Sequence, residues 1–121
     1  ADKNPKDSRV LIMGVTFKED VSDIRNSKVV DIYNELKSFG IDKIDVLDAF
    51  ADAHEVKEEY GFDMAKEPNG KYEAIIVAVS HKQYIGLDEK WFSQHASTGC
   101  VFVDVKGIFR HKIKGLTYWS L

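Results

Sequence analysis

The sequence is short of the features that would send it to a membrane, to a nucleic acid or out of the cell. Cys100 is the one cysteine among 121 residues, so no internal disulfide can form and a reducing, cytoplasmic compartment is expected. The longest apolar runs, Val10 to Val15 and Ala74 to Val79, fall far below the roughly 20 residues that a membrane-spanning helix needs. No signal-peptide pattern is visible, and a soluble protein is expected. A formal net charge of -3 lacks the cationic surplus that phosphate-backbone binding requires, which argues against a general nucleic-acid or polybasic membrane binder. Internal repeats and low-complexity segments are missing too. His81 has no second His or Cys at metal-ligand spacing, and no zinc site is expected.

What is there reads as a single unit. A chain of this length with 44% hydrophobic and 31% charged residues can bury one moderate core but not two. Residues 1–7 are polar, contain Pro5 and lack periodicity, so they read as a tail or linker remnant, with the domain spanning residues 8–121.

The stretch from Val10 to Ile32 organises the remainder. Val10 to Met13 is a continuous apolar run of the kind expected of a strand covered on both faces. Gly14 ends it, a loop dense in charge follows, and from Asn26 or Ser27 as N-cap a helix is predicted to Phe39, with Val29, Val30, Ile32, Tyr33, Leu36 and Phe39 as its apolar stripe and Gly40 as its stop. Ile44 to Leu47 reads as a second strand, 51–60 as a second helix closed by Gly61, and Phe62 to Met64 as a small added strand. Pro68, Asn69 and Gly70 mark a turn before the buried strand Ala74 to Val79. Trp91 and Phe92 sit on a predicted short helix, followed by strands Val101 to Val105 and Leu116 to Trp119. The sum is an α/β three-layer, Rossmann-like domain with a mainly parallel sheet of five to six strands.

In such a sheet the residues just past the strands share one edge, which is the usual binding crevice. They are Thr16, Phe17 and Lys18, then Asp48, then Ser80, His81 and Lys82, then Asp104 and Lys106. Lys18, Lys82 and Lys106, with Arg25 and Arg110, predict a cationic mouth suited to an anionic ligand. Lys18 beside Phe17 fits a ring stacked on a base or sugar next to a phosphate-contacting ammonium, whereas Lys82 reads as a solvated charge. Arg25 fits both an ion pair with Asp20 or Asp23 and a bidentate contact to phosphate or carboxylate. His81 reads as a helix-capping histidine and Cys100 as buried structure rather than nucleophile. Asp48 occupies the position of the ribose-holding acid of dinucleotide folds, yet G-x-G-x-x-G is missing, so the domain alone is not expected to bind NAD in the usual way.

The run GVTFKEDVSDIRNSKVVDI (Gly14 to Ile32), with VLDAFAD (Val46 to Asp52), AIIVAVSHKQY (Ala74 to Tyr84) and VFVDVKG (Val101 to Gly107), resembles the C-terminal domain of the UDP-glucose/GDP-mannose dehydrogenase family. Among its branches the chain looks most like the one oxidising UDP-N-acetylhexosamines. The resemblance implies the UDP-sugar-binding domain of an NAD-dependent 6-dehydrogenase of polysaccharide biosynthesis. Such enzymes turn the sugar C6 alcohol into a carboxylate by two hydride transfers through a covalent intermediate on a cysteine. It further implies that NAD is held mainly by a domain absent from this chain, that the remaining parent domains are partners, that the parent is a homo-oligomer, and that this fragment alone is inactive. By position, Phe17, Lys18 and Lys106 would contact the nucleotide sugar and Arg25 would point toward the cofactor. Ala49 departs from the family, where many members have proline after the aspartate.

Two other readings compete. A flavodoxin-like or receiver-type signalling module would account for Lys106 after a late strand, but it needs an acidic pair after the first strand, where Gly14, Val15 and Thr16 stand. A structural fragment docking through exposed Trp91, Phe92 or Trp119 is the third.

Overall fold

The structure is a computed structural model that describes residues 7–16, 24, 27–79 and 81–120. Its elements run β1 (Arg9–Met13), α1 (Val29–Ser38), β2 (Lys43–Leu47), α2 (Ala53–Tyr60), β3 (Tyr72–Val77), α3 (Lys82–Ile85), α4 (Glu89–Gln94), β4 (Ala96–Asp104) and β5 (Thr117–Ser120). The five strands form one sheet in the order β2-β1-β3-β4-β5, and every neighbouring pair is parallel. All C-terminal strand ends therefore lie along one edge. The chain leaves β1 toward β2 and returns past it to β3, so the switch point falls between β1 and β3.

Alternation along the strands divides the core into two layers. Val10, Ile12, Val46 and Ile76 face α1 together with Ile24, Val29 and Val56. Leu11, Met13, Ile75, Val77 and Phe102 face Tyr84 of α3, Phe92 of α4 and Phe109. Rings of Phe92, Phe102 and Phe109 meet edge to face at 4.7–5.8 Å between centroids, the favoured aromatic geometry. The opposite end of the sheet is stapled by Arg9, which lies 3.4 Å from Asp45 and 4.8 Å over the Tyr72 ring, while the Tyr72 hydroxyl donates to Asp45 at 2.6 Å.

Local sequence accounts for most boundaries. Asp52 caps α2 by accepting from the His54 and Glu55 N–H groups, and Gly61 ends it in the left-handed conformation, as side-chain oxygens and glycines do at helix ends. At α1 the cap residue is Lys28, without a side-chain bond; Ser27 Oγ instead accepts from Val29 N at 3.3 Å. Phe39 is 66% exposed, not part of the buried stripe expected of it. The predicted strand at Phe62 to Met64 does not form. The backbone bond to the sheet comes only after it, from Ala65 N to Val46 O at 2.9 Å, too little to extend the sheet.

Gly14 is the tightest point of the frame. Its φ is +102°, and a Cβ there would come within 2.6 Å of Val79 Cβ and 2.8 Å of Val79 N. Backbone cannot retreat as a flexible side chain can, so strain and clash add. Gly14→Ala is expected to lower unfolding free energy by about 3 kcal/mol, read as a lower urea midpoint with an unchanged slope.

Candidate functional site

At the switch point three strand ends are tied together by one carboxylate. Asp48, the residue after β2, turns its side chain fully inward. Its Oδ2 accepts from Val15 N at 2.6 Å and Thr16 N at 3.1 Å, beyond β1. Its Oδ1 accepts from Phe50 N at 2.7 Å and Ala51 N at 2.9 Å, which folds its own loop around it. From beyond β3, His81 Nε2 lies 2.9 Å from Oδ2. Burial alone would push the Asp48 carboxyl up, but the N–H groups of Val15 and Phe50, the His81 ring and the Ala51 N–H outweigh it and hold the group below its ordinary value.

His81 is itself buried, with its ring 4.8 Å from Phe50 and 5.5 Å from Tyr84 between centroids. Thr16 Oγ1 lies 3.0 Å from the same Nε2 that meets Asp48. An ionised carboxylate only accepts, so Nε2 carries the proton. Hydroxyl and carboxylate thus share one nitrogen, whereas a nucleophilic triad needs them on opposite nitrogens. The arrangement is a clasp and not a hydrolytic centre. Burial first, then the Asp48 charge, pushes the Tyr84 hydroxyl far up, so it stays neutral.

A second carboxylate organises the loop after β4. Asp104, fully buried, accepts from Ile108 N at 3.2 Å, Phe109 N at 2.7 Å and the Tyr118 hydroxyl at 2.7 Å. This fixes the turn bearing Lys106, which is exposed together with Lys82 and Arg110. Between the loop after β2, residues 64–68 and helices α3 and α4 lies a cleft of about 500 Å³, with Met13, Leu47, Ala51, Met64, Tyr84 and Trp91 among its walls.

Of the residues singled out from sequence, Lys106 sits at the binding edge, while Phe17, Lys18, Arg25 and Ser80 lie outside the described residues. Asp48 and Asp104 are at that edge but face backbone donors, not the crevice. His81 stands at the N-cap of α3 without a side-chain cap bond; its ring is committed to Asp48. Cys100 lies in β4, its thiol pushed up to about 11 by burial and then by the Glu73 charge, which suppresses nucleophilicity. Among the described residues no group of three His, Cys, Asp or Glu could hold a metal ion, and no helix is long and apolar enough to cross a membrane. Sequence reasoning missed the clasp. Its available signal was a polar residue within four positions of the end of each of three apolar strands: Thr16, Asp48 and His81.

Comparison with known proteins adds an independent line. The profile of the UDP-glucose/GDP-mannose dehydrogenase family, UDP binding domain, matches residues 11–111. A UDP-N-acetyl-D-glucosamine 6-dehydrogenase of Salmonella typhi is 45% identical over 82 residues, covering 67% of this chain and 19% of its own length. The enzyme of that name from Pseudomonas aeruginosa is 38% identical over 100 residues, covering 82% and 24%. An NDP-N-acetyl-D-galactosaminuronic acid dehydrogenase of Methanosarcina mazei superposes with a TM-score of 0.83 over 98% of this chain and 25% of that one, at 21% identity, a likeness that speaks for the fold. The chain thus spans about a fifth to a quarter of the length of these relatives.

The depressed Asp48 carboxyl makes the clasp acid-labile. Its contribution is complete above the unfolded value near 4 and is lost as pH falls through the lower folded value. Asp48→Asn keeps one carbonyl where two oxygens now take five donors and turns its NH2 group toward the donors of the other, so a loss of about 2–4 kcal/mol is expected at pH 7. Urea midpoints measured from pH 7 downward should show the wild type losing stability steeply in acid and the variant losing less.

Proposed function

The chain belongs to the UDP-glucose/GDP-mannose dehydrogenase family, and from that premise we propose that it grips the nucleotide sugar for an NAD-dependent UDP-sugar 6-dehydrogenase, of the type acting on UDP-N-acetylhexosamines. The carrying observation is the family match over residues 11–111. It joins a fully parallel sheet whose strand ends share one edge. In this reading residues 8–121 are the binding domain and residues 1–7 a tail or linker remnant.

Phe17 stacks on the nucleotide, Lys18 and Lys106 meet its diphosphate as ammonium donors, and Arg25 reaches toward the cofactor across a cleft to another domain. An exposed Lys106 on a turn held by Asp104 supports its part. The described residues do not build a dinucleotide site of their own. Asp48, where the ribose-holding acid would stand, has its side chain fully buried and engaged by five donors. NAD, which accepts hydride in such oxidations, therefore belongs to the rest of a homo-oligomeric, cytoplasmic parent, together with the cysteine chemistry. This chain binds and orients substrate and does not oxidise it alone. The receiver-type reading has no acidic pair after β1 to stand on, since Gly14, Val15 and Thr16 follow that strand.

Titration of the chain with UDP, followed by backbone amide shifts, tests this. Binding is expected on the order of 0.1–1 mM, because contacts from other domains are missing. Shifts should centre on residues 14–27, 80–84 and 105–107, and Lys18→Ala should weaken binding about tenfold, the worth of one charge-assisted contact. Shifts that avoid these three segments would overturn the proposal.

A further inference from the structure

We infer that Arg110 is a further contact for the diphosphate of the nucleotide sugar, its guanidinium seated beside Lys106 on the turn after β4. The inference rests on the function proposed above for the identity of the anion, but every residue it places lies within the described structure. The connection from β4 to β5 separates charge sharply: residues 105–120 carry Lys106, Arg110, Lys112 and Lys114 and no acid. Phe109 and Ile113 are buried in the core, so the connection is pinned at two apolar points while its four cations are exposed. Lys114 lies at the end held by the Glu89 carboxylate, which accepts from Lys114 N and Gly115 N. Lys106 and Arg110 stand at the other end, around Asp104.

There the backbone folds in two successive turns, closed by Gly107 N to Asp104 O at 3.2 Å and by Arg110 N to Gly107 O at 3.3 Å. Gly107 has a φ of +72°, and a Cβ on it would lie 3.1 Å from Arg110 Nη2. The guanidinium therefore folds back over the residue next to Lys106, in space that a glycine leaves open. The Tyr118 hydroxyl feels both neighbours of that seat: burial first and then Asp104 push it up, while Ser120 and the Arg110 charge pull the other way. None of the described ion pairs involves Lys106 or Arg110. An ammonium offers a point charge, whereas the planar guanidinium grips two oxygens at once. Together they present more donors than one carboxylate can take up, and a diphosphate has oxygens for both. Because the turn is already held by Asp104 through Ile108 N and Phe109 N, little ordering remains to be done when the anion arrives.

The test is titration of the chain with UDP and, separately, with inorganic pyrophosphate, followed by amide shifts at residues 105–110. Two exposed side chains are compared: Arg110→Gln removes the proposed contact, and Lys112→Gln removes an equal charge two residues further on. Arg110→Gln is expected to weaken both ligands about tenfold, the worth of one charge-assisted contact, while Lys112→Gln stays within twofold of the wild type. UDP affinity of Arg110→Gln within twofold of the wild type would overturn the inference. So would equal losses in the two variants, because the effect would then belong to net charge and not to a contact. Pyrophosphate keeps the two readings apart. A wild type that fails to bind UDP but binds pyrophosphate, with Arg110→Gln losing it, overturns the nucleotide reading and leaves the seat at Arg110 standing. A wild type that binds neither overturns both.

Discussion

A carboxylate placed in the interior is unfavourable unless every lone pair finds a donor, and this domain meets that condition by making the donors come from elsewhere. The Asp48 oxygens collect N–H groups from beyond β1 and from its own loop, and the ring of His81 from beyond β3. Each partner alone is worth about 1–3 kcal/mol to a charged acceptor. Their joint effect is geometric: the group is satisfied only when three strand ends adopt one mutual arrangement. Displacing any one of them leaves a buried charge short of a donor, which is why the frame at the binding edge has a single solution and not several.

The packing beneath cooperates with that constraint. Gly14 lets the end of β1 approach Val79 more closely than any side chain would permit, and the two residues after it donate Val15 N and Thr16 N to Asp48 on the β2 side. The layers on either side are apolar and interdigitated, with an aromatic cluster under β3 and β4. Asp104 repeats the device one strand pair away, wrapping the turn after β4 around itself and tying in β5 through Tyr118. Two buried acids thus shape the two rims of the crevice, and neither presents an oxygen to a ligand.

Much of the frame was legible in the residues. The run Val10 to Met13 is strand, the run read as Ala74 to Val79 is strand as far as Val77, Gly40 and Gly61 close helices, and the parallel order follows from strand and helix alternation. Three features were not legible. β4 begins at Ala96, in a polar stretch without alternation, because pairing with Tyr72 at its start is a tertiary effect. Phe39 looked like core by helical spacing, yet it lies past the last turn of α1, where the backbone no longer points the ring inward. Asp48, Asp104 and His81 follow strand ends as the sequence reads, but their contacts did not show there: His81, read as a helix-capping histidine, meets Asp48 with its ring, and both aspartates accept from donors of the chain itself. Sequence position fixes which end of a sheet a residue occupies, while the direction of its side chain depends on donors brought in from distant segments.

That inward turn changes the electrostatics of the edge. Summed by residue type, the ends of β2, β3 and β4 bring two aspartates against Lys82, Lys106 and Arg110, close to neutrality. The aspartates keep their net charge, but their oxygens are turned onto N–H groups and a hydroxyl held within 3.2 Å and away from the surface, while the three cations remain exposed. Meanwhile the surface acids Glu55, Glu58 and Glu59 lie on α2. The domain is slightly acidic in total, yet Lys82, Lys106 and Arg110 stand exposed past its strand ends beside the exposed Asp52 and Glu67, and cations placed there favour an approaching anion without requiring a basic protein.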